Sequence, residues 1–115
     1  MSDFDFPLSG ISFTAAISKR ILRENHLEGE SGTSRLKQIA FITIVYQMQI
    51  AEEECNYNKM SKITGLPRAT LSHISSPLIA KSLLKEKRVL NSIGRGHSYV
   101  LFVPDEVLIE LKPTI

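Results

Sequence analysis

The side chains best suited to chemistry in this sequence lie in one basic stretch, residues 59–97. It holds eight lysines and arginines against a single acid, Glu86, whereas the rest of the chain holds six bases against eleven acids. The charge balance is therefore +7 inside the stretch and −5 outside it, although the net charge of the chain is only +2. Segregated positive charge is what a surface that binds a polyanion needs, and a solvated basic face is the alternative interpretation.

Small, polar and basic residues follow a turn signal inside this stretch. Gly65 lies where a helix needs a left-handed C-terminal residue, and Pro67 suits the first turn of the next helix. Two short helices joined by such a turn form a helix-turn-helix, which leaves the N-terminal residues of its second helix free to enter a DNA groove. Arginine can donate to a guanine or a phosphate, and hydroxyls can reach phosphates or base edges. The residues of the second helix predicted to meet DNA are Pro67, Arg68, Ala69, Thr70, Ser72 and His73.

A basic hairpin is predicted to follow, over residues 86–103. Val89-Leu90 and the run 99–103 are strand-like, and Gly94-Arg95-Gly96 lies between them as the tip. We expect Arg95 to enter a narrow minor groove, the alternative being an ordinary turn that carries a solvated arginine. Two aromatic residues of the second strand, Tyr99 and Phe102, are assigned to the core rather than to base stacking. Further DNA contacts, mainly to phosphates, are expected from Lys59, Lys62, Lys85, Lys87, Arg88 and His97.

The elements that must position these residues are mostly helical. Apolar residues at helical spacing predict helices over residues 9–25, 34–54, 59–64, 68–84 and 105–111. The first of these is expected to group Ile11, Ala15, Ile17, Ile21 and Leu22 near one face, with a short strand as the competing prediction at its start. The fold class predicted is mainly α with a small β-hairpin wing, a winged helix-turn-helix.

Helix ends and buried faces can also be predicted. The long helix 34–54, capped by Ser34, should be central and largely buried, unless one face meets another subunit. Asn58 is expected to cap the short helix, whose Met60 and Ile63 point inward. Pro77 either kinks the helix 68–84 or opens a new helix capped by Ser76.

Residues 58–106 resemble the winged helix-turn-helix of the MarR-type bacterial transcriptional regulators. Gly65-Leu66-Pro67-Arg68-Ala69-Thr70-Leu71-Ser72 stands where that family has a Gly-Leu-Ser-Arg-Ser-Thr-Val-Ser type of sequence. Val103-Pro104-Asp105-Glu106 resembles the family's strand-ending Thr-Pro-Glu-Gly. The resemblance implies a homodimer that binds a palindromic operator in double-stranded DNA and represses transcription. It also implies major-groove contacts from Arg68, Thr70, Ser72 and His73, and a minor-groove contact from Arg95.

The sequence departs from the family in two places. Pro77 is unexpected inside a recognition helix, and the long C-terminal helix through which these regulators dimerise is expected to be short or missing. Residues 1–25 or the exposed face of the helix 34–54 would have to replace it. We therefore divide the chain into residues 1–33, an N-terminal arm and helix that is a candidate dimerisation element, and residues 34–111, the DNA-binding domain.

Other classes of protein are disfavoured by composition. No apolar run approaches the ~18–20 residues of a membrane span, and the N-terminus does not resemble a secretory signal, so a cytoplasmic protein is expected. The resemblance to the MarR-type regulators implies that it is bacterial and associated with the nucleoid. His26, His73 and His97 have no ligand-spaced partner, so neither a metal nor another cofactor is expected. The lone Cys55 is predicted to be inert because three glutamates precede it.

Enzymatic activity is not expected, because no nucleophile elbow, phosphate loop or catalytic carboxylate pair occurs in the sequence. Two other functions remain open. One is a replication initiator or another subunit of a nucleoprotein complex, which would share the DNA-binding face. The other is a winged helix that binds proteins, which would need an apolar outer face on the wing or the recognition helix.

Overall fold

The described residues form a mainly helical fold, with a two-stranded antiparallel hairpin near its C-terminal end. The computed structural model describes residues 10–90 and 97–111, apart from the side chain of His97. This confirms the predicted mainly helical class with a small hairpin, and the predicted tip of the hairpin, Gly94-Arg95-Gly96, lies outside the described residues. The elements are α1 (Gly10–Lys19), continued by a π-helical turn (Arg20–Glu24), α2 (Gly32–Ile50), α3 (Tyr57–Thr64), α4 (Arg68–Ala80), β1 (Lys85–Leu90), β2 (His97–Phe102) and α5 (Asp105–Leu111).

Two helices begin at a different cap from the one predicted. The Ser31 hydroxyl accepts from the backbone N–H of Ser34 at 3.1 Å and caps α2, so the prediction of Ser34 as the cap is wrong. The Asn56 side chain accepts from the backbone N–H of Lys59 at 2.9 Å and caps α3 in place of the predicted Asn58. In both cases two suitable acceptors lie close together, and the earlier one meets an N–H that has no partner within the helix.

The ends of α2 and α4 also come earlier than predicted. The helix α2 stops at Ile50, and Glu52 adopts a φ of 58° while the N–H of Glu53 donates to the Met48 carbonyl at 2.9 Å. This is a left-handed helix termination of the kind that satisfies the last free carbonyls. The helix α4 runs through Pro77 and ends at Ala80, so a new helix capped by Ser76 does not form.

The core is built around α2, which packs against α1 and α4. The ring of Phe13 in α1 stacks on Tyr46 of α2, with a centroid separation of 4.0 Å and an interplanar angle of 12°. Ile17 and Ile21 are fully buried one and two helical turns after Phe13. The predicted face of this segment is therefore wrong in part, because Ile11 is 86% exposed and the neighbouring apolar residues Ala15 and Leu22 are exposed too.

The hairpin is attached to the end of α2 by polar contacts. The backbone N–H of Leu101 donates to the Cys55 carbonyl at 2.7 Å, so the chain after α2 pairs with β2 at this point. The side-chain amide of Gln49 bonds the backbone of Val103 in both directions, at 3.0 and 2.7 Å. These bonds orient the hairpin relative to the helices.

A buried ion pair joins the loop before α2 to the end of α4. The Lys81 ammonium lies 2.9 Å from a carboxylate oxygen of Glu30 and donates to the Gln38 side chain at 2.8 Å. Gln38 in turn donates to the other oxygen of Glu30 at 2.6 Å. The Lys81 and Glu30 side chains are 0% and 4% exposed. One of the eight bases of the basic stretch is thus part of the core and not of a DNA-binding surface.

Candidate nucleic-acid interface

The helix α4 has one exposed face that follows directly from its sequence. Leu71, Ser75 and Leu78 are buried against the rest of the protein, with Thr70 and Ile74 half-buried beside them. Because one turn takes 3.6 residues, the positions between them point outward together. Most of the predicted contact residues lie on this exposed face or just before it: Pro67, Arg68, Ala69, Ser72 and His73. Small side chains leave the helix backbone accessible for close approach to a groove.

The turn between α3 and α4 is held by a set of local bonds. Gly65 adopts φ 75° and ψ 9°, the predicted left-handed conformation, and its N–H donates to the Ser61 carbonyl at 2.8 Å. The Ser61 hydroxyl donates to the Leu66 carbonyl at 2.8 Å, and the Leu66 N–H donates to the Thr64 hydroxyl at 3.2 Å. Pro67 then precedes α4 with a φ of −64°. The angle between the two helices is therefore fixed by short-range contacts.

Arg68 has a partner that the sequence does not reveal. Its guanidinium carbon lies over the ring of Tyr57, 5.3 Å from the centroid. Tyr57 is buried at the start of α3, and its hydroxyl lies 2.8 Å from the Ser75 hydroxyl and 3.4 Å from a Glu86 carboxylate oxygen. Burial raises the pKa of Tyr57, and the neighbouring Glu86 acts in the same direction, against the bond from Ser75 and the charge of Arg68.

Helical spacing could have revealed the burial of Tyr57, because it lies three residues before Met60, which was predicted to point inward and is fully buried. The same spacing misplaces Ile63, which is 58% exposed. An inward prediction for Ile63 is therefore wrong. The contact of Tyr57 with Arg68 joins two different helices, so no local pattern indicates it.

Two of the three bases of β1 predicted to contact DNA, Lys87 and Arg88, point to opposite faces of the hairpin. The strand register pairs Lys87 with Val100 and Arg88 with Tyr99, and cross-strand partners share a face. Both basic side chains are exposed. Tyr99 is 42% exposed, so its assignment to the core is wrong, whereas Phe102 is half-buried. Arg88 and Tyr99 together form an exposed basic and aromatic pair on the hairpin.

Of the other residues predicted to contact DNA, those that the structure describes lie on α3, β1 and β2. Lys59 and Lys62 are exposed on α3, one helical turn apart. Lys85 lies 3.9 Å from the Glu106 carboxylate with both side chains exposed, a pair of little energetic weight. His97 begins β2 opposite Leu90, and its side chain, like the whole of Arg95, lies outside the described residues.

Cys55 is buried, and its local environment differs from the predicted one. Desolvation raises the pKa of its thiol to about 11, although the charge of Lys59 acts to lower it. Burial is therefore the physical cause of a low thiolate fraction, in place of the glutamates expected from the sequence. Within the described part of the chain, no group of three or more histidine, cysteine or acidic side chains could hold a metal ion.

Comparisons with known proteins do not assign this chain to a family. The chain matches no protein-family model, no curated protein and no solved structure. Among residues 10–90 and 97–111, no helix has both the length and the apolar character needed to cross a membrane. The geometry and charge of the α4 face and the hairpin are therefore the observations that indicate a function.

Proposed function

We propose that this protein is a sequence-specific DNA-binding regulator of transcription, a winged helix-turn-helix of the MarR type in the bacterial cytoplasm, associated with the nucleoid. The observation that carries the proposal is the exposed face of α4, with Arg68 at its N-terminus and small or polar side chains behind it. Supporting features are the left-handed turn at Gly65 and the antiparallel hairpin that follows α4. This order of elements is that of a recognition helix followed by a wing.

The proposed roles follow from side-chain chemistry. Arg68 reads a base in the major groove, because a guanidinium can bind both acceptors of one guanine. Ser72 and His73 lie on the same exposed face and contact phosphates or base edges. Phosphate attraction that does not depend on sequence comes from Lys59, Lys62, Lys87 and Arg88, and Arg95 is proposed to enter the minor groove.

Two alanine substitutions distinguish a residue that recognises a base from a residue that binds only phosphate. Arg68→Ala should reduce discrimination at one base position by about 1–3 kcal/mol, because a bidentate contact is lost. Lys87→Ala should weaken binding to all sequences alike and lower the salt slope by about one unit, because only a phosphate contact is lost. The measurement is a titration of both variants against an operator selected from random duplexes and against its single-base changes, at two salt concentrations. If Arg68→Ala lost affinity equally on every sequence, Arg68 would bind phosphate and would not recognise a base.

We also propose that two copies associate through α2, as reading two half-sites requires. The outward positions of α2 are almost free of charge, with Leu36 62% exposed and Ile50 39% exposed, and with Ala40 and Gln47 between them. Light scattering at micromolar concentration should give the mass of a dimer. Ala40→Glu should give a monomer with an unchanged circular dichroism spectrum, because it places a charge in the middle of this face. A monomer mass for the wild type, with and without DNA, would exclude the dimer.

A protein-binding wing is the second candidate, and one observation favours it. Leu90 is 67% exposed and Tyr99 is 42% exposed, and both lie on the hairpin face that carries Arg88. Exposed apolar side chains at this position suit a protein partner as well as DNA. Retention on heparin supports the DNA-binding hypotheses over this one. A shift of the fragment containing the gene's own promoter then distinguishes a transcriptional regulator from a replication initiator.

A further inference from the structure

Tyr57 connects the elements that form the candidate interface. Its ring lies beneath the guanidinium of Arg68, its hydroxyl reaches Ser75 in the middle of α4, and the same hydroxyl lies 3.4 Å from Glu86 at the base of the hairpin. The side chain is only 7% exposed, so it cannot itself be the main contact with a large ligand. Its contacts span α3, α4 and β1.

We infer that Tyr57 is the positioning residue for sequence reading: its ring holds the Arg68 guanidinium in the orientation in which that group meets a base. The inference rests on the proposed function. A cation–π contact attracts the guanidinium to the ring face through its charge and requires no hydrogen bond from its N–H groups. The contact therefore restricts the side chain without using the donors that a guanine would accept. An arginine already restricted in the free protein loses less conformational entropy on binding.

The hydroxyl of Tyr57 contacts two other elements. The Tyr57 and Ser75 hydroxyls lie 2.8 Å apart, and the Ser75 hydroxyl is also within hydrogen-bond distance of the Ser72 carbonyl, at 3.1 Å. The Tyr57 hydroxyl donates to a carboxylate oxygen of Glu86 on β1 at 3.4 Å. These bonds connect the buried Tyr57 to the middle of α4 and to the hairpin, whereas the aromatic face beneath Arg68 is the part that orients the guanidinium.

The variants Tyr57→Phe and Tyr57→Leu separate the ring from the hydroxyl. Phenylalanine keeps the aromatic face under Arg68, and leucine removes it while remaining apolar. With the titration panel used for Arg68→Ala, Tyr57→Leu should lose most of the preference at the base read by Arg68, out of the about 5- to 150-fold that a bidentate contact represents. Tyr57→Phe should keep most of that preference. In the double variant Tyr57→Leu/Arg68→Ala the preference should fall no further than in Arg68→Ala alone.

If Tyr57 only stabilised the fold, the result would be different. Tyr57→Leu would then lower the folded fraction of the protein, which weakens binding to every sequence alike without changing the preference among them. An NMR measurement on the free protein adds a readout without DNA: the Arg68 δ protons should be shifted upfield by the ring current, in the wild type and Tyr57→Phe but not in Tyr57→Leu.

The outcomes separate this inference from the proposed function. If the wild type binds no duplex DNA, the proposed function fails, and the reading role of Tyr57 fails with it. If the wild type discriminates among sequences and Tyr57→Leu discriminates equally well, or loses affinity equally on all of them, only the positioning role is overturned. An unshifted set of Arg68 δ protons in the wild type would also overturn it, because the contact between Arg68 and the ring would then be absent in solution.

Discussion

Replacing Lys81 with methionine is expected to lower the free energy of unfolding by about 3–5 kcal/mol, because it leaves a buried carboxylate without its partner. Lys81 and Glu30 are both almost fully buried, and their charged groups lie 2.9 Å apart. Methionine has a similar length and no charge, so the loss reports the ion pair and not a large cavity. Urea denaturation followed by circular dichroism measures the effect.

Two further variants test the cause of this loss. Lys81→Met/Glu30→Gln removes both charges and should recover most of the lost stability, since a buried pair is often replaceable by uncharged groups. Lys85→Met is the matched control, because Lys85 is 55% exposed and lies 3.9 Å from its acidic neighbour. The control should change stability by no more than about 0.5 kcal/mol. If Lys81→Met costs no more than Lys85→Met, the pair is not buried in solution.

The same pair gives a pH dependence with a definite sign. Burial acts to raise the pKa of Glu30, but hydrogen bonds from Lys81 and Gln38, together with the charge of Lys81, lower it below its ordinary value of 4.5. A carboxyl group whose pKa is lower in the folded state stabilises the fold above its unfolded pKa. That contribution is lost as the pH falls through the folded value. The Glu30→Gln variant should therefore lose less stability than the wild type on acidification below pH 4.5.

Phe13→Ala is expected to cost about 3–5 kcal/mol of stability, because a fully buried aromatic ring is removed from a packed core. Phe13 is 0% exposed and stacks on Tyr46, so part of the loss comes from the ring contact. The unfolding transition should remain a single step when followed by circular dichroism and by tyrosine fluorescence, because α1 packs directly on the central helix α2.

The control for Phe13→Ala comes from the same helix. Ile11 is 86% exposed, and Ile11→Ala should change the free energy of unfolding by no more than about 0.5 kcal/mol. A small effect of Phe13→Ala, comparable with that of Ile11→Ala, would show that α1 is an appended arm and does not contribute to the core.

Several local features of this protein could be predicted from its sequence alone. The turn at Gly65 is one, because a residue without a Cβ adopts the positive φ of a helix end at little cost. The helical segments and the hairpin are others, since the spacing of apolar residues along the chain indicates which side chains are buried. The outward position of Arg68, Ser72 and His73 follows from the same periodicity once Leu71 and Leu78 are assigned to the core.

Which charged and aromatic groups lie at the surface depends on how the helices and the hairpin pack together. Lys81 lies in the basic stretch of the sequence, but Glu30, 51 residues earlier in the chain, meets it inside the protein. Tyr57 contacts Arg68 and Glu86 only because α3, α4 and the hairpin pack together. Local periodicity reflects the average preference of a segment for water, and it carries no information about a partner on another element. The energy of an ion pair or a ring contact depends on that partner, so such contacts are set by the packing of the whole chain.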